Sequence, residues 1–261
     1  MTFLRRLYSI YCLSIFGGLF LLLSPFFLLL IQRKSWHKAG VWLNHLWARM
    51  FFFLCFVPVK REFRSKLDPK NTYIFCANHF SYMDIPLVGL TPIPFKFVGK
   101  SSMSKVPFFG YMYKKLHILV DRGKLKSRYQ TYLLSRETLE MGLSLMIFPE
   151  GGIITTDAPN MVAFKPGAFK TAIECKVPIV PVTMPYNFHF LEDDGRLLPS
   201  YRSLKIIYHE PIETSAYTIE TMDQLSQQVF DIIADELQKH HPNANNKGDI
   251  TEDRTFSKVG G

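Results

Sequence analysis

Residues 7–32 run without a single charged side chain and consist mostly of Leu, Phe and Ile. No other feature of the chain narrows its possible folds as far. As a helix rising 1.5 Å per residue, this run reaches about 39 Å, more than the roughly 30 Å hydrocarbon layer of a bilayer requires. One membrane span is therefore the first expectation. Pro25 predicts a kink and Gly17-Gly18 would allow close helix packing, so a helical hairpin that re-enters one side is the variant reading. Arg5 and Arg6 would also suit the start of a cleaved signal peptide, but the run is long for that and no small-x-small cleavage site follows.

A second apolar stretch, residues 41–59, carries Asn44, His45 and Arg49 among aromatic residues that include Trp42, Trp47, Phe51 and Phe53. Polar groups in an aromatic-rich helix predict a segment lying at the membrane interface. Arg33, Lys34 and Lys38 before it, and Lys60, Arg61, Arg64 and Lys66 after it, would then stand at headgroup depth. The chain holds 31 Lys and Arg against 22 Asp and Glu, a formal charge of +9. Because the excess tracks the apolar segments, it points to anionic membrane lipid and away from nucleic acid. The four cysteines stand far apart with no C-x-x-C pair, which suggests neither a disulfide framework nor a zinc site.

Beyond residue 68 the texture changes to short apolar runs at 72–77, 95–98, 117–120, 145–148, 179–184 and 204–208. They read as strands covered on both faces. Helices are predicted at 127–141, closed by Gly142, at 168–175 and at 219–239, the last with a core-facing stripe of Met222, Leu225, Val229, Ile232 and Leu237. The pattern predicts an α/β fold, a mostly parallel sheet flanked by helices, behind an N-terminal membrane-embedded helical segment. The expected division is a membrane anchor at 1–59, a catalytic domain at 60–240 and a disordered tail at 241–261.

The first of those six strands runs into Asn78-His79-Phe80-Ser81-Tyr82-Met83-Asp84, and strand ends are where parallel sheets gather ligand sites. On one continuous helix, side chains five residues apart diverge, so contact between His79 and Asp84 requires a turn between them. Pro86 belongs in a helix's first turn and sets the start at about Asp84, leaving His79 in the loop before it. Asp84 would then fix the tautomer of His79 and leave Nε2 free to take a proton from a hydroxyl. A plainer reading has the pair merely hold a turn. Cys76 invites a thiol nucleophile, but it lies inside a strand run, where cysteines are usually inert. Three more clusters end strands: Lys96, Lys100 and Lys105 around Phe97-Val98-Gly99, Asp121-Arg122-Gly123, and Phe148-Pro149-Glu150-Gly151-Gly152. Converging cations suit a phosphate, and glycines after Glu150 let backbone approach a substrate or present an N–H.

The ordered set N-H-F-S-Y-M-D (78–84), K-V-P-F-F-G with I-L-V-D-R-G (105–110, 118–123), F-P-E-G (148–151) and V-P-I-V-P-V (177–182) resembles the four blocks of the glycerolipid acyltransferases. Within them it is most similar to the bacterial 1-acyl-sn-glycerol-3-phosphate, or lysophosphatidic acid, acyltransferases. The resemblance covers about residues 60–209. It implies His79 as general base and Asp84 as its orienting partner. It also implies Lys100 and Arg122 as phosphate contacts, Glu150 and Gly151 at the acceptor, and residues 177–182 shaping a pocket. It further implies acyl transfer from acyl-CoA or acyl carrier protein to the free hydroxyl of 1-acylglycerol-3-phosphate, forming phosphatidic acid, with no metal and no cofactor. The location implied is a bacterial inner membrane with the catalytic domain on the cytoplasmic side. One departure stands out: where the family commonly continues F-P-E-G-T-R, this chain has Gly152-Ile153. Lys165 could stand in for the Arg, or the acceptor could be another lysophospholipid or an amino-acid lipid. A non-catalytic lipid-binding protein of the same fold is the alternative from a different class.

Overall fold

The computed structural model describes residues 2–101, 104, 109–121 and 123–244. Its chain order opens with two helices, α1 (Thr2–Leu30) and α2 (His37–Leu54), followed by strand β1 (Val59–Phe63). Strand β2 (Ile74–Ala77), helix α3 (Asp84–Val88) and strand β3 (Phe95–Lys100) come next. Helix α4 (Phe109–Leu116) and strand β4 (Ile118–Val120) precede α5 (Leu125–Glu140), β5 (Ser144–Ile147), α6 (Gly167–Cys175) and β6 (Ile179–Thr183). The chain then passes through α7 (Asn187–Phe190) and β7 (Leu204–Tyr208) to α8 (Met222–His240).

The seven strands form one sheet in the order β1-β7-β6-β2-β5-β3-β4. All neighbours are parallel except β6 and β7, which pair antiparallel. Each of the six predicted strands is present. The seventh, β1, has the sequence VKREF, whose Lys60 and Arg61 read as a basic flank at headgroup depth, and it lies at the sheet edge beside β7, from Val59 opposite Leu204 to Phe63 opposite Tyr208. A charged edge strand discourages pairing with other chains, and that same charge hides it from a hydropathy reading.

Alternation within β2 shows why both faces are covered. Phe75 and Ala77 point into a core shared with α2 and α3, while Ile74 and Cys76 point into one shared with α6 and α8. On α8 the buried stripe is Leu225, Val229, Ile233 and Leu237, four residues with no exposed surface. Residues 245–261, which include most of the predicted tail, lie outside the described residues.

Three features of the N-terminal segment bear on the expectations. First, α1 passes through Pro25 as one helix, and the chain reverses after it, at residues 31–36, to form an antiparallel pair with α2. The Tyr8 and Tyr11 hydroxyls donate to the Cys55 and Leu54 carbonyls at 2.9 and 2.7 Å, and Phe16 meets Trp47 edge-on at 4.7 Å. Second, the close contacts fall elsewhere than Gly17-Gly18, where an added Cβ would meet nothing within 4 Å. At Gly89, just after α3, it would stand 2.9 Å from Cβ of Ala48 on α2. Third, three polar residues of α2 face protein, while Lys38 and Arg49 are exposed. His45 Nδ1 lies 3.0 Å from the Gly89 carbonyl, Asn44 lies 3.3 Å from His117 Nε2, and His37 Nδ1 lies 3.2 Å from Lys96 Nζ. Burial of Phe51 and Phe52 in the same core as the sheet, at about 1.5–3 kcal/mol each, ties the hairpin to the rest of the fold.

Several cations assigned to headgroups are likewise engaged with protein. Lys34 pairs with Glu137 at 2.6 Å, and Arg64 pairs with Glu62 and the buried Glu236. On its other side α1 leaves Phe3, Leu4, Leu21, Leu22, Phe26 and Leu29 exposed. By length and composition it is one helix able to cross a membrane.

Candidate active site

The site is assembled at the carboxyl ends of three adjacent strands, with β2 in the centre, β5 on one side and β6 on the other. Because these strands are parallel, the turns that follow them emerge together at one end of the sheet. Leaving β2, Asn78 turns its amide sideways to the turn after β6: its Nδ2 donates to the Met184 carbonyl at 3.1 Å, and the Met184 N–H donates back to its Oδ1 at 2.8 Å. The next residue, His79, is thereby presented at the corner.

Asp84 opens α3 and has no exposed surface. Its Oδ2 receives His79 Nδ1 at 2.9 Å and the N–H groups of Phe80 and Ser81 at 2.8 and 2.9 Å. Its Oδ1 receives Asn187 Nδ2 at 2.7 Å. A carboxylate in such a ring of donors only accepts, so Nδ1 of His79 bears the proton and Nε2 carries the lone pair. The imidazole stacks on Phe148 at 4.1 Å with 18° between the planes, and Nε2 has no hydrogen-bond partner among the described residues. The local pattern of a strand, a six-residue turn and a helix starting at Asp84 is what the sequence predicts, and it brings His79 and Asp84 together.

Glu150 occupies a different place from the one expected. It is fully buried beneath the corner, where Oε1 accepts the His79 N–H at 2.8 Å and Oε2 accepts the Val162 N–H at 3.3 Å. It braces the backbone that carries His79 and offers no surface to an acceptor. Burial pushes its carboxyl up to about 8, and the nearby Asp84 charge acts in the same direction against the two N–H bonds. Gly151 adopts φ +95 and its N–H donates to the Phe148 carbonyl, so that donor is already committed within the turn. Across Gly151 lies the exposed Lys165 side chain. A Cβ at 151 would stand 2.6 Å from Lys165 Nζ, so the glycine clears the lysine's path.

Of the other expected cations, one is described and it lies away from the corner. Lys96 is buried and turned toward His37 on α2. Lys100 ends β3, with its side chain outside the described residues, as are Lys105 and Arg122. Cys76 is enclosed in β2, where burial pushes its thiol up and away from thiolate. Sequence reasoning missed Asn187, the Phe148 stack and Ser81, whose hydroxyl donates to the Leu191 carbonyl at 2.7 Å. Asn78 opens the motif and could have been flagged; nothing in Y-N-F-H marks Asn187.

An apolar groove of about 340 Å³ lies next to the turn that carries the corner. The loop carrying His79 continues into its wall as Tyr82 and Met83, and α1 and α2 supply Leu13, Phe16 and Phe51 opposite. His117, also on the lining, accepts the Phe97 N–H on Nδ1, and burial pushes it down to about 3, so it adds no charge to the groove.

A His–Asp base with a buried aspartate, on a turn that runs into the wall of an apolar groove beside a mostly parallel sheet, defines a class of enzyme, and comparison with known proteins agrees. Residues 58–185 match the acyltransferase family. The 1-acyl-sn-glycerol-3-phosphate acyltransferase of Salmonella typhimurium is 30% identical over 67% of this chain and 68% of its own length. The lyso-ornithine lipid O-acyltransferase of Pseudomonas aeruginosa is 31% identical over 61% of this chain and 67% of its own. In fold, the chain matches the crystal structure of the 1-acyl-sn-glycerophosphate acyltransferase of Thermotoga maritima with a TM-score of 0.71, covering 94% of this chain and 98% of that one at 21% identity. The chain belongs to the acyltransferase family and is an O-acyltransferase.

Proposed function

We propose that this acyltransferase moves a fatty acyl group from a thioester, acyl-CoA or acyl carrier protein, to the free hydroxyl of 1-acylglycerol-3-phosphate, forming phosphatidic acid. The observation that carries this reading is the His79–Asp84 contact of 2.9 Å beside an apolar groove. Nε2 of His79 takes the hydroxyl proton as the alcohol oxygen attacks the thioester carbonyl. The tetrahedral intermediate then collapses by breaking the carbon–sulfur bond, and the departing thiolate recovers the proton from Nε2. The step draws its energy from the thioester and calls for no metal or cofactor. Lys165, extended over Gly151, is the cation for the acceptor phosphate, joined by Lys100 and Arg122 as the family resemblance implies. The groove holds the acyl chain.

The exposed apolar side chains of α1 support insertion in a membrane, where the lipid acceptor resides. We place the chain in a bacterial inner membrane with the sheet on the cytoplasmic side. Retention in the membrane pellet after alkaline extraction tests the first part, and protease access in inverted vesicles tests the second.

Substituting His79→Ala is expected to lower transfer by about 10²–10⁴-fold while protein still accumulates; full activity would sink the assignment. A second acceptor has a specific observation behind it. Gly152-Ile153 replaces the usual Thr-Arg, and one relative is named for lyso-ornithine lipid. A panel of 1-acylglycerol-3-phosphate and lyso-ornithine lipid, run with both donor types, decides between them.

A further inference from the structure

We infer that Asn187 is a positioning residue of the base assembly, holding the Asp84 carboxylate in the rotation that aims Oδ2 at His79. The inference rests on the reading of His79 as the base. Asp84 takes four N–H donors, and three of them, from His79, Phe80 and Ser81, fall on Oδ2 and come from its own turn. Only Asn187, 103 residues away in sequence, serves Oδ1 among the described residues. Without it, one oxygen of a fully buried anion would lack a partner, and rotation about Cβ–Cγ would trade the two oxygens between the turn and the empty side.

The asparagine itself shows what it is held for. It is fully buried, one amide hydrogen goes to Asp84 at 2.7 Å, and the amide nitrogen also lies 3.5 Å from the weak acceptor Sδ of Met184. Its Oδ1 is buried with no hydrogen-bond partner. A buried carbonyl oxygen left unmatched is costly and uncommon. Flipping the amide would set Asn187 Oδ1 against Asp84 Oδ1, oxygen to oxygen at the same short distance. The orphaned oxygen is thus the consequence of keeping the N–H on the carboxylate. The backbone around Asn187 is matched to this task. Asn78 bonds to Met184 on one side and Ser81 to Leu191 on the other, so the segment entering and leaving α7 is stitched to the His79 turn at both ends.

The test measures kcat, KM and the pH dependence of kcat/KM in membrane fractions, normalised to the amount of protein. The assay uses 1-acylglycerol-3-phosphate and lyso-ornithine lipid as acceptors. The donor is palmitoyl-CoA, or palmitoyl carrier protein where the wild type uses only that. Asn187→Leu is expected to lower kcat about tenfold or more with KM within about twofold. It should also move the acid limb of kcat/KM upward by about one pH unit, because a carboxylate stripped of a donor holds the imidazolium more strongly. Asn187→Asp, nearly identical in shape, is expected to approach wild type where its new carboxyl keeps a proton to donate, and to fall away from it as pH rises. A pH-independent loss in Asn187→Leu would make Asn187 a packing residue and overturn the inference. Wild-type profiles in either variant, or failure of Asn187→Asp to accumulate, would also overturn it. An active His79→Ala, measured alongside, would overturn the base reading itself, whereas an inactive His79→Ala with an unaltered Asn187→Leu removes only the present inference.

Discussion

Glu150 accepts the backbone N–H of the base, and its burial has a consequence for stability. Its carboxyl holds a proton up to about pH 8 in the folded chain, whereas an unfolded chain releases it near 4.5. Between those values the native state binds more protons than the unfolded state, so stability from this group is fully present below pH 4.5 and is lost as pH rises through 8. Glu150→Gln, which keeps the neutral shape at the expense of the 3.3 Å bond from Val162, should flatten the decline in melting temperature from pH 5 to 8. An unchanged slope would show that Glu150 is not its source. Cys76 provides the contrasting case. It titrates nowhere near neutrality and touches only the core, so Cys76→Ser should keep most activity; a dead enzyme that still folds would revive the thiol as nucleophile.

Among the elements, the turns after β2 and β5 and the seam between α2 and α3 are where small changes should matter most. At Gly151 a methyl group would meet both the φ +95 backbone and the Lys165 side chain. Gly151→Ala should therefore raise KM for the acceptor several-fold more than it lowers kcat, measured at saturating donor. At Gly89 the obstacle is the Cβ of Ala48 at 2.9 Å together with the Pro86 carbonyl oxygen at 2.9 Å, neither of which can swing aside. Gly89→Ala is expected to cost about 1–3 kcal/mol of stability, read as a lowered denaturation midpoint. Double substitution with Ala48→Gly should recover part of it.

At the scale of the whole molecule, the hairpin of α1 and α2 does more than attach the sheet, since it forms one wall of the groove and shares its core. Phe27, Met112 and Leu116 line the part packed against the second half of α1. Met112→Trp should fill that part and shift donor preference toward shorter acyl chains, measured as relative kcat/KM across a chain-length series. Equal ratios to wild type would remove the groove as the acyl site. Much of this architecture was legible beforehand because its causes are local. Six strands are apolar runs, α3 begins where Pro86 requires, and a turn of four residues brings His79 to Asp84. What escaped detection was non-local or carried a misleading charge. The edge strand β1 reads as a basic flank of the apolar segment, Lys96 reads as a substrate cation though it points to His37, and Asn187 reaches Asp84 across 103 residues.

By itself the sequence determined the alternation of helix and strand, the apolar N-terminal helix and the pairing of imidazole with carboxylate, since each depends on residues within a few positions of one another. Only the tertiary structure decided that the polar face of α2 meets the sheet domain, that Glu150 lies under the corner and that Asn187 completes the ring around Asp84. Those outcomes depend on which strands lie side by side, and strand order is set by packing over the whole chain, with no trace in any one stretch of it.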